Sequence, residues 1–211
     1  LLVAAGANHD CRPEMLLQFA LMGSAYMEKV QGIPKPRVGL VNIGTEENKG
    51  TQLQLDVLPL LKEAPIHFTG NVEARGLPLG EVDVAVTDGF TGNIILKTTE
   101  GMGKFFSNEL KSMVKSFPGV LGGLLLAGKF KALKKKSDSN EAGGAPLLGL
   151  RKPVIKAHGS SNAKAFKNAI RQAMTCHQNN MVGLIEEYME SYRAAEAAAK
   201  AEAAAGEEEA Q

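Results

Sequence analysis

Apolar positions along this chain alternate between two kinds of run. Short, mainly apolar runs occupy residues 1–5, 37–43, 66–70, 83–87 and 154–157. Continuous apolar runs of that length read as strands covered on both faces. Between them, apolar residues recur at three- and four-residue spacing, which is helical. Pro13-Glu14 opens the first such segment, with proline where a helix tolerates it, and Gly32 and Pro34 close it. Leu16, Phe19, Ala20, Met27 and Val30 fall on one face of it. A second helix is expected over about 49–63, kinked or split at Pro59, because proline removes a helical hydrogen bond. Two more are expected, from near 93 towards 116 and over about 162–188.

Strands alternating with helices predict an α/β fold, a mostly parallel sheet with helices on both faces. Ligands of such sheets bind beyond the carboxyl ends of the strands. The polar junctions at Asn8, Gly44, Asp88 and His158 are therefore expected on one rim. Residues 1–190 read as a portion of one such domain, opening inside a strand at Leu1, so a preceding portion is expected. Residues 191–211, rich in Ala and Glu, read as a helical spacer ending in a solvated acidic tail.

Residues from about 94 to 140 interrupt the rhythm and read as a protruding helical hairpin. Leu121, Leu124, Leu125 and Leu126 make an apolar tip, followed by a basic stretch of Lys129, Phe130, Lys131, Lys134, Lys135 and Lys136. Two readings have equal weight. The stretch lies on an anionic membrane surface, or its leucines are buried against a second subunit. Both can hold, because an apolar tip is costly to leave in water.

Composition narrows the classes. The chain has 211 residues, 44% hydrophobic, with a net charge of +1, enough for one sizeable core. Balanced charge argues against a general nucleic-acid binder. Cys11 and Cys176 stand far apart, which fits a reduced cytoplasmic setting. No HExxH or paired-cysteine spacing calls for a metal, and no run reaches the roughly 20 apolar residues of a membrane span. No GxSxG, Walker A or GxGxxG motif occurs in its expected context, so neither a Ser or Cys nucleophile nor a cofactor is called for. Cys11 beside Arg12 reads either as a thiol of lowered pKa or as a thiol packed at a helix entrance.

What remains is a set of polar junctions. Lys156-Ala157-His158-Gly159-Ser160-Ser161 gathers a cation, an imidazole and hydroxyls where a strand gives way to a helix. A helix start presents unpaired N–H groups and partial positive charge, so it suits an anion. Ser160 or Ser161 as a plain helix cap is the competing reading. Thr45, Glu46 and Lys49 cluster after Gly44. Asp88, Gly89, Gly92 and Asn93 form a third junction, with Lys97 about one helical turn on. Capping or solvation suits any one of these residues, whereas several such junctions together favour an anion site.

Six motifs occur in order: Gly6-Ala7-Asn8, Asn42-Ile43-Gly44-Thr45-Glu46-Glu47, Gly70-Asn71-Val72-Glu73, Asp88-Gly89-Phe90-Thr91-Gly92-Asn93, Gly143-Gly144-Ala145-Pro146-Leu147-Leu148-Gly149 and Lys156-Ala157-His158-Gly159-Ser160-Ser161. Over residues 1–187 this series resembles the bacterial phosphate acyltransferases of phospholipid synthesis. The resemblance implies transfer of a fatty acyl group from acyl carrier protein to inorganic phosphate, giving acyl phosphate. It also implies a homodimer, a peripheral place at the membrane, and a fold similar to isopropylmalate dehydrogenases and phosphotransacetylases. Family members carry a further N-terminal portion, and Ala4 stands where they usually have Asp.

On that reading His158, Lys156 and Asn93 are the catalytic candidates. Asn8, Thr45, Glu46, Lys49, Asp88, Gly89, Gly92, Lys97, Gly159, Ser160 and Ser161 are the candidates for binding phosphate or substrate. The basic stretch, with Arg151 and Lys152, would meet either the acidic carrier protein or anionic lipid. Two alternatives rank below it. One is a metal- and NAD-dependent decarboxylating dehydrogenase of the same fold, for which Asp88 is only a lone strand-end carboxylate. The other is a non-catalytic membrane-surface adaptor.

Overall fold

A computed structural model describes residues 1–4, 6–115, 117–136, 139–159 and 161–209. The chain divides into two compact units. One holds Leu1–Gly92, Leu148–Pro153 and Thr175–Gln211; the other holds Asn93–Leu147 and Val154–Met174.

The first unit contains β1 (Leu2–Val3), α1 (Pro13–Lys29), β2 (Val38–Asn42), α2 (Gln52–Glu63), β3 (Phe68–Glu73) and β4 (Val84–Val86). These strands form one parallel sheet in the order β1-β4-β2-β3. The α/β reading therefore holds. Every position of β2 and β4 is buried, the polar Asn42 at the end of β2 included, as expected of strands covered on both faces. Val3, Val38, Leu40, Val84 and Val86 meet Leu16, Leu17, Ala20 and Leu21 of α1 and Val57 and Leu61 of α2. Each such side chain contributes roughly 1.5–3 kcal/mol when fully buried. Gly23 sets how closely α1 approaches. A Cβ there would lie 2.6 Å from Cγ1 of Val84 and 2.9 Å from Cγ2 of Val3.

Several elements differ from expectation. Helix α2 runs unbroken through Pro59. Pro59 and Leu55 are both exposed, so the carbonyl that proline leaves unbonded faces water. Strand β3 does not stop at Gly70 but continues to Glu73, with Gly70 at φ 98° where the register against β2 shifts. The segment expected as one helix over about 162–188 is two, α6 (Ala163–Gln178) and α7 (Met181–Glu209). Asn180 breaks it by taking the left-handed conformation, φ 47°, which asparagine tolerates. Asn179 donates from Nδ2 to the Lys29 carbonyl (2.8 Å), so the break is tied to the end of α1. Tyr188, Met189 and Tyr192 of α7 then pack against the core of this unit.

The second unit holds most of α3 (Gly89–Lys115), then α4 (Phe117–Lys136), α5 (Ser139–Ala142), β5 (Ala145–Pro146), β6 (Ile155–Lys156) and α6 up to Met174. The strand expected over 154–157 does not join the parallel sheet. It is β6, and it pairs antiparallel with β5 in a separate two-stranded ribbon. His158 therefore follows a strand of this ribbon, while Asn8, Gly44 and Asp88 follow strands of the parallel sheet.

An ion pair fastens the amino-terminal edge of that sheet. Arg37 donates from its backbone N and Nε to Oδ2 of Asp83 (2.8 and 3.0 Å), and from Nη2 to Oδ1 (3.0 Å) and the Gly80 carbonyl (2.8 Å). The Arg37 hydrogen bonds hold the Asp83 carboxyl below the ordinary carboxylate range. A lowered folded-state pKa stabilises the fold above the unfolded pKa and loses that contribution as pH falls through the folded one. Asp83→Asn is expected to lower the urea midpoint at pH 7, with the gap to wild type narrowing as pH falls below the ordinary carboxylate value of about 3.9. A gap between the two midpoints that stays constant with pH would refute the coupling.

Candidate functional site

Parallel strands that end level present their following loops at one edge. Val86 of β4 is in register with both Leu40 of β2 and Val3 of β1. Asn42 and Asp88 therefore stand two residues beyond a matched pair, and Asn8 lies in the loop after β1. Asn8 takes φ 48°, and its carbonyl accepts the Gly89 N–H (3.0 Å) and the Cys11 thiol (3.1 Å). Cys11 is half-buried against the core of this unit, which agrees with the packed thiol of the two readings, and burial pushes its thiol up. Ala4 takes φ 69°, a conformation that Asp or Asn accepts more readily than alanine.

Asp88 is buried and accepts the Thr91 N–H at Oδ1 (2.8 Å), which makes it the cap of α3. The amides of Gly89 and Thr91, expected to line an anion cradle, thus already have protein acceptors. Gly89 is required at its position. A Cβ there would lie 1.7 Å from the Ala7 carbonyl oxygen and 2.7 Å from that of Asn8.

The 43–50 loop follows β2. Glu46 and Lys49 fold back over Gly44, where a Cβ would meet the Glu46 carboxylate at 2.7 Å and the Lys49 stem at 3.2 Å. Thr45 is exposed beside them. Glu47 pairs with Lys62 of α2 at 2.7 Å. Two asparagines that the sequence reading left unassigned, Asn42 and Asn71, hold this loop from the sheet. Their signal was present, since both lie in the shared motifs and each is a polar residue in or at the end of a strand.

In the second unit, Asn93, Lys97, Glu100 and Lys104 follow one face of α3 at helical spacing. Lys97 donates to Oε2 of Glu100 at 3.0 Å. The Lys97 bond, helped by Lys104 and His158, holds the Glu100 carboxyl below its ordinary range. The structure thus brings Lys97 and His158 around Glu100, a residue the sequence reading passed over. Its signal was the spacing of three from Lys97 and seven from Asn93. Lys156 and His158 are exposed, and β6 presents them. The cap expected of Ser160 or Ser161 falls instead to Asn162, whose Oδ1 accepts the Ala165 N–H at 3.0 Å. Ser161 donates its N–H to the His158 carbonyl (2.9 Å) next to Gly159, and Ser160 lies outside the described residues. Gly143 and Gly144 seat the ribbon, since a Cβ at either would meet the backbone of Ala169 (2.3 Å) or of Lys156 (2.7 Å).

The hairpin expectation corresponds to α3 and α4. Gly123 of α4 lies against Val114 of α3. Leu121, Leu124, Leu125 and Leu126 are exposed, Leu125 by 82%. Apolar residues dominate the first half of α4 and lysines its second, the order expected of an apolar tip followed by a basic stretch. Lys129 and Lys131 are exposed and Phe130 is half-buried. Lys134, Lys135 and Lys136 lie on α4, with side chains outside the described residues. Arg151 and Lys152 are exposed in the first unit. No helix among the described residues is long and apolar enough to cross a membrane. Among the same residues, no three His, Cys, Asp or Glu side chains converge as a metal ion would need. A cavity of about 710 Å³ lies away from the loops, where Pro36 and His67 lead into β2 and β3 beside Glu28 and Tyr188.

The family described as fatty acid synthesis protein matches residues 1–183. Among curated proteins, a phosphate acyltransferase of Clostridium botulinum (strain Loch Maree / Type A3) is 52% identical over 187 residues, 88% of this chain and 56% of that protein. One of Clostridium tetani is 48% identical over 188 residues, 89% of this chain and 56% of that protein. One of Caldicellulosiruptor bescii is 51% identical over 189 residues, 89% of this chain and 57% of that protein. The chain thus spans little more than half the length of these relatives.

Because a Cβ at Gly89 would strike backbone on another loop, no side-chain rotation relieves it. Gly89→Ala is expected to destabilise the fold by about 3 kcal/mol in urea unfolding, the upper part of the range for overpacking. A loss under about 0.5 kcal/mol, the scale of an ordinary surface substitution, would contradict this close contact.

Proposed function

The chain belongs to the fatty acid synthesis protein family, and from that premise we propose that it carries part of the machinery of a phosphate acyltransferase. The reaction moves a fatty acyl group from acyl carrier protein to inorganic phosphate and yields acyl phosphate for phospholipid synthesis. The observation that supports this most is identity of about half over nearly nine-tenths of the chain to proteins of that name.

The chemistry asks little of a protein nucleophile. A phosphate oxygen attacks the thioester carbonyl, the new C–O bond forms as the C–S bond breaks, and the thiolate leaves with a proton. The protein's tasks are to desolvate and orient phosphate and to stabilise the oxyanion on the attacked carbonyl. Lys156, with Ser160, Ser161 and the Gly159 backbone, binds phosphate or that oxyanion. His158 supplies a proton to the departing sulfur. Asn93 and Lys97 add donors along α3. Asn8, Thr45, Glu46 and Lys49 order the substrate, while Asp88, Gly89 and Gly92 form the start of α3.

Carrier protein is acidic, so Lys129, Lys131, Lys134, Lys135, Lys136, Arg151 and Lys152 are its docking candidates. The exposed leucines of α4 meet an anionic membrane surface, a second copy in a homodimer, or both, which makes the protein peripheral to the membrane.

The complete gene product is expected to release free thiol from an acyl-carrier thioester only when phosphate is added. His158→Ala should lower turnover by roughly a hundredfold. Lys156→Ala should chiefly raise the Michaelis constant for phosphate. Phosphate-independent release would overturn the reaction, and near-normal turnover of the histidine variant would remove His158 from it.

Leu125→Glu tests the membrane contact separately. Wild type should float with anionic liposomes and the variant should remain in the load fraction. Equal behaviour of the two would eliminate α4 as the contact.

A further inference from the structure

Asn42 occupies the last position of β2, two residues beyond Leu40 and four beyond Val38. Strand period two turns it to the same face as those core residues, and it is only 9% exposed. A buried amide must find partners. Asn42 finds both of them in the loop that follows it. Its Oδ1 accepts the Ile43 N–H (2.8 Å), and its Nδ2 donates to the Lys49 carbonyl (2.9 Å). One side chain therefore joins the first residue of the 43–49 loop to the last.

The neighbouring glycine fits this use. Gly50 has φ 105°, and a Cβ there would lie 2.7 Å from Oδ1 and 3.0 Å from Nδ2 of Asn42. The middle of the loop has a second hold. Asn71 of β3 donates from Nδ2 to the Glu46 carbonyl at 2.8 Å. That carbonyl also accepts the Lys49 N–H at 3.2 Å. Both asparagines thus bind the loop's backbone, and the side chains of Thr45, Glu46 and Lys49 stay exposed.

We infer that Asn42 and Asn71 are positioning residues that hold the 43–49 loop in one conformation for binding inorganic phosphate. The inference rests on the acyltransferase reading for the ligand, and on hydrogen bonds of this chain alone for the clamp. An ordered loop bears the entropic cost of fixing its backbone during folding, so binding does not bear it again. Loosening the loop weakens phosphate binding more than it slows the chemical step.

Hydrogen exchange and kinetics together test it. Asn42→Ala and Asn71→Ala should each speed amide exchange at 43–49 at least tenfold, with the amides of β4 and α1 unchanged. In the complete gene product each should raise the Michaelis constant for phosphate about tenfold, with turnover within threefold of wild type. Asn42→Asp keeps the acceptor for Ile43 but turns a carboxylate oxygen on the Lys49 carbonyl, so it should not rescue. Asn71→Ala leaves the buried position at Asn42 intact and remains informative if the Asn42 variants unfold. Unchanged loop exchange in Asn71→Ala overturns the clamp. A loosened loop with an unchanged Michaelis constant overturns its role in binding. A wild-type enzyme without phosphate-dependent thiol release overturns the acyltransferase reading, and the exchange experiment still decides the clamp.

Discussion

Close packing of α1 on β1 and β4 is the constraint from which the rest of the first unit follows. It depends on Gly23, because any side chain there would hold the helix away from Val3 and Val84. A glycine inside a helix costs about 1 kcal/mol relative to alanine. The burial of Leu16, Leu17, Leu21, Val84 and Val86 outweighs that cost several-fold. With the helix seated, β1 and β4 end level and β2 runs two residues further, and three loops emerge along one edge. The Arg37–Asp83 pair fixes the opposite edge of the same strands.

Several hydrogen bonds tie the loops at the carboxyl edge to one another and to the sheet. Asp88 caps α3, Asn8 receives the Gly89 amide, and Asn42 closes the 43–49 loop. Each bond removes an alternative conformation, so the edge is preorganised before any ligand arrives. The second unit arranges charge differently. Glu100 gathers Lys97, Lys104 and His158 around one carboxylate, and its hydrogen bond from Lys97 keeps that lysine oriented.

Helix α4 follows another logic. Four of its five leucines lie in its first half and all of its lysines in its second, so polarity changes along the helix. A helix of this kind presents an apolar end with a basic collar.

Local pattern alone identified much of this protein. The periodicity of 13–29 foretold α1, the apolar runs at 37–43 and 83–87 foretold two central strands, and the motif series foretold the family. These features depend on neighbours within a few residues, which the sequence displays directly. Tertiary structure decided which strands pair, and it placed β6 with β5 outside the parallel sheet. It also decided that Pro59 faces water and that the helix breaks at Asn180 beside the end of α1. The clamp of Asn42 on its loop and the link of Glu100 to His158 arose there too, because they join residues that periodicity cannot relate. Short-range spacing encodes the elements, whereas pairing and charge grouping arise only once distant segments are brought together by burial.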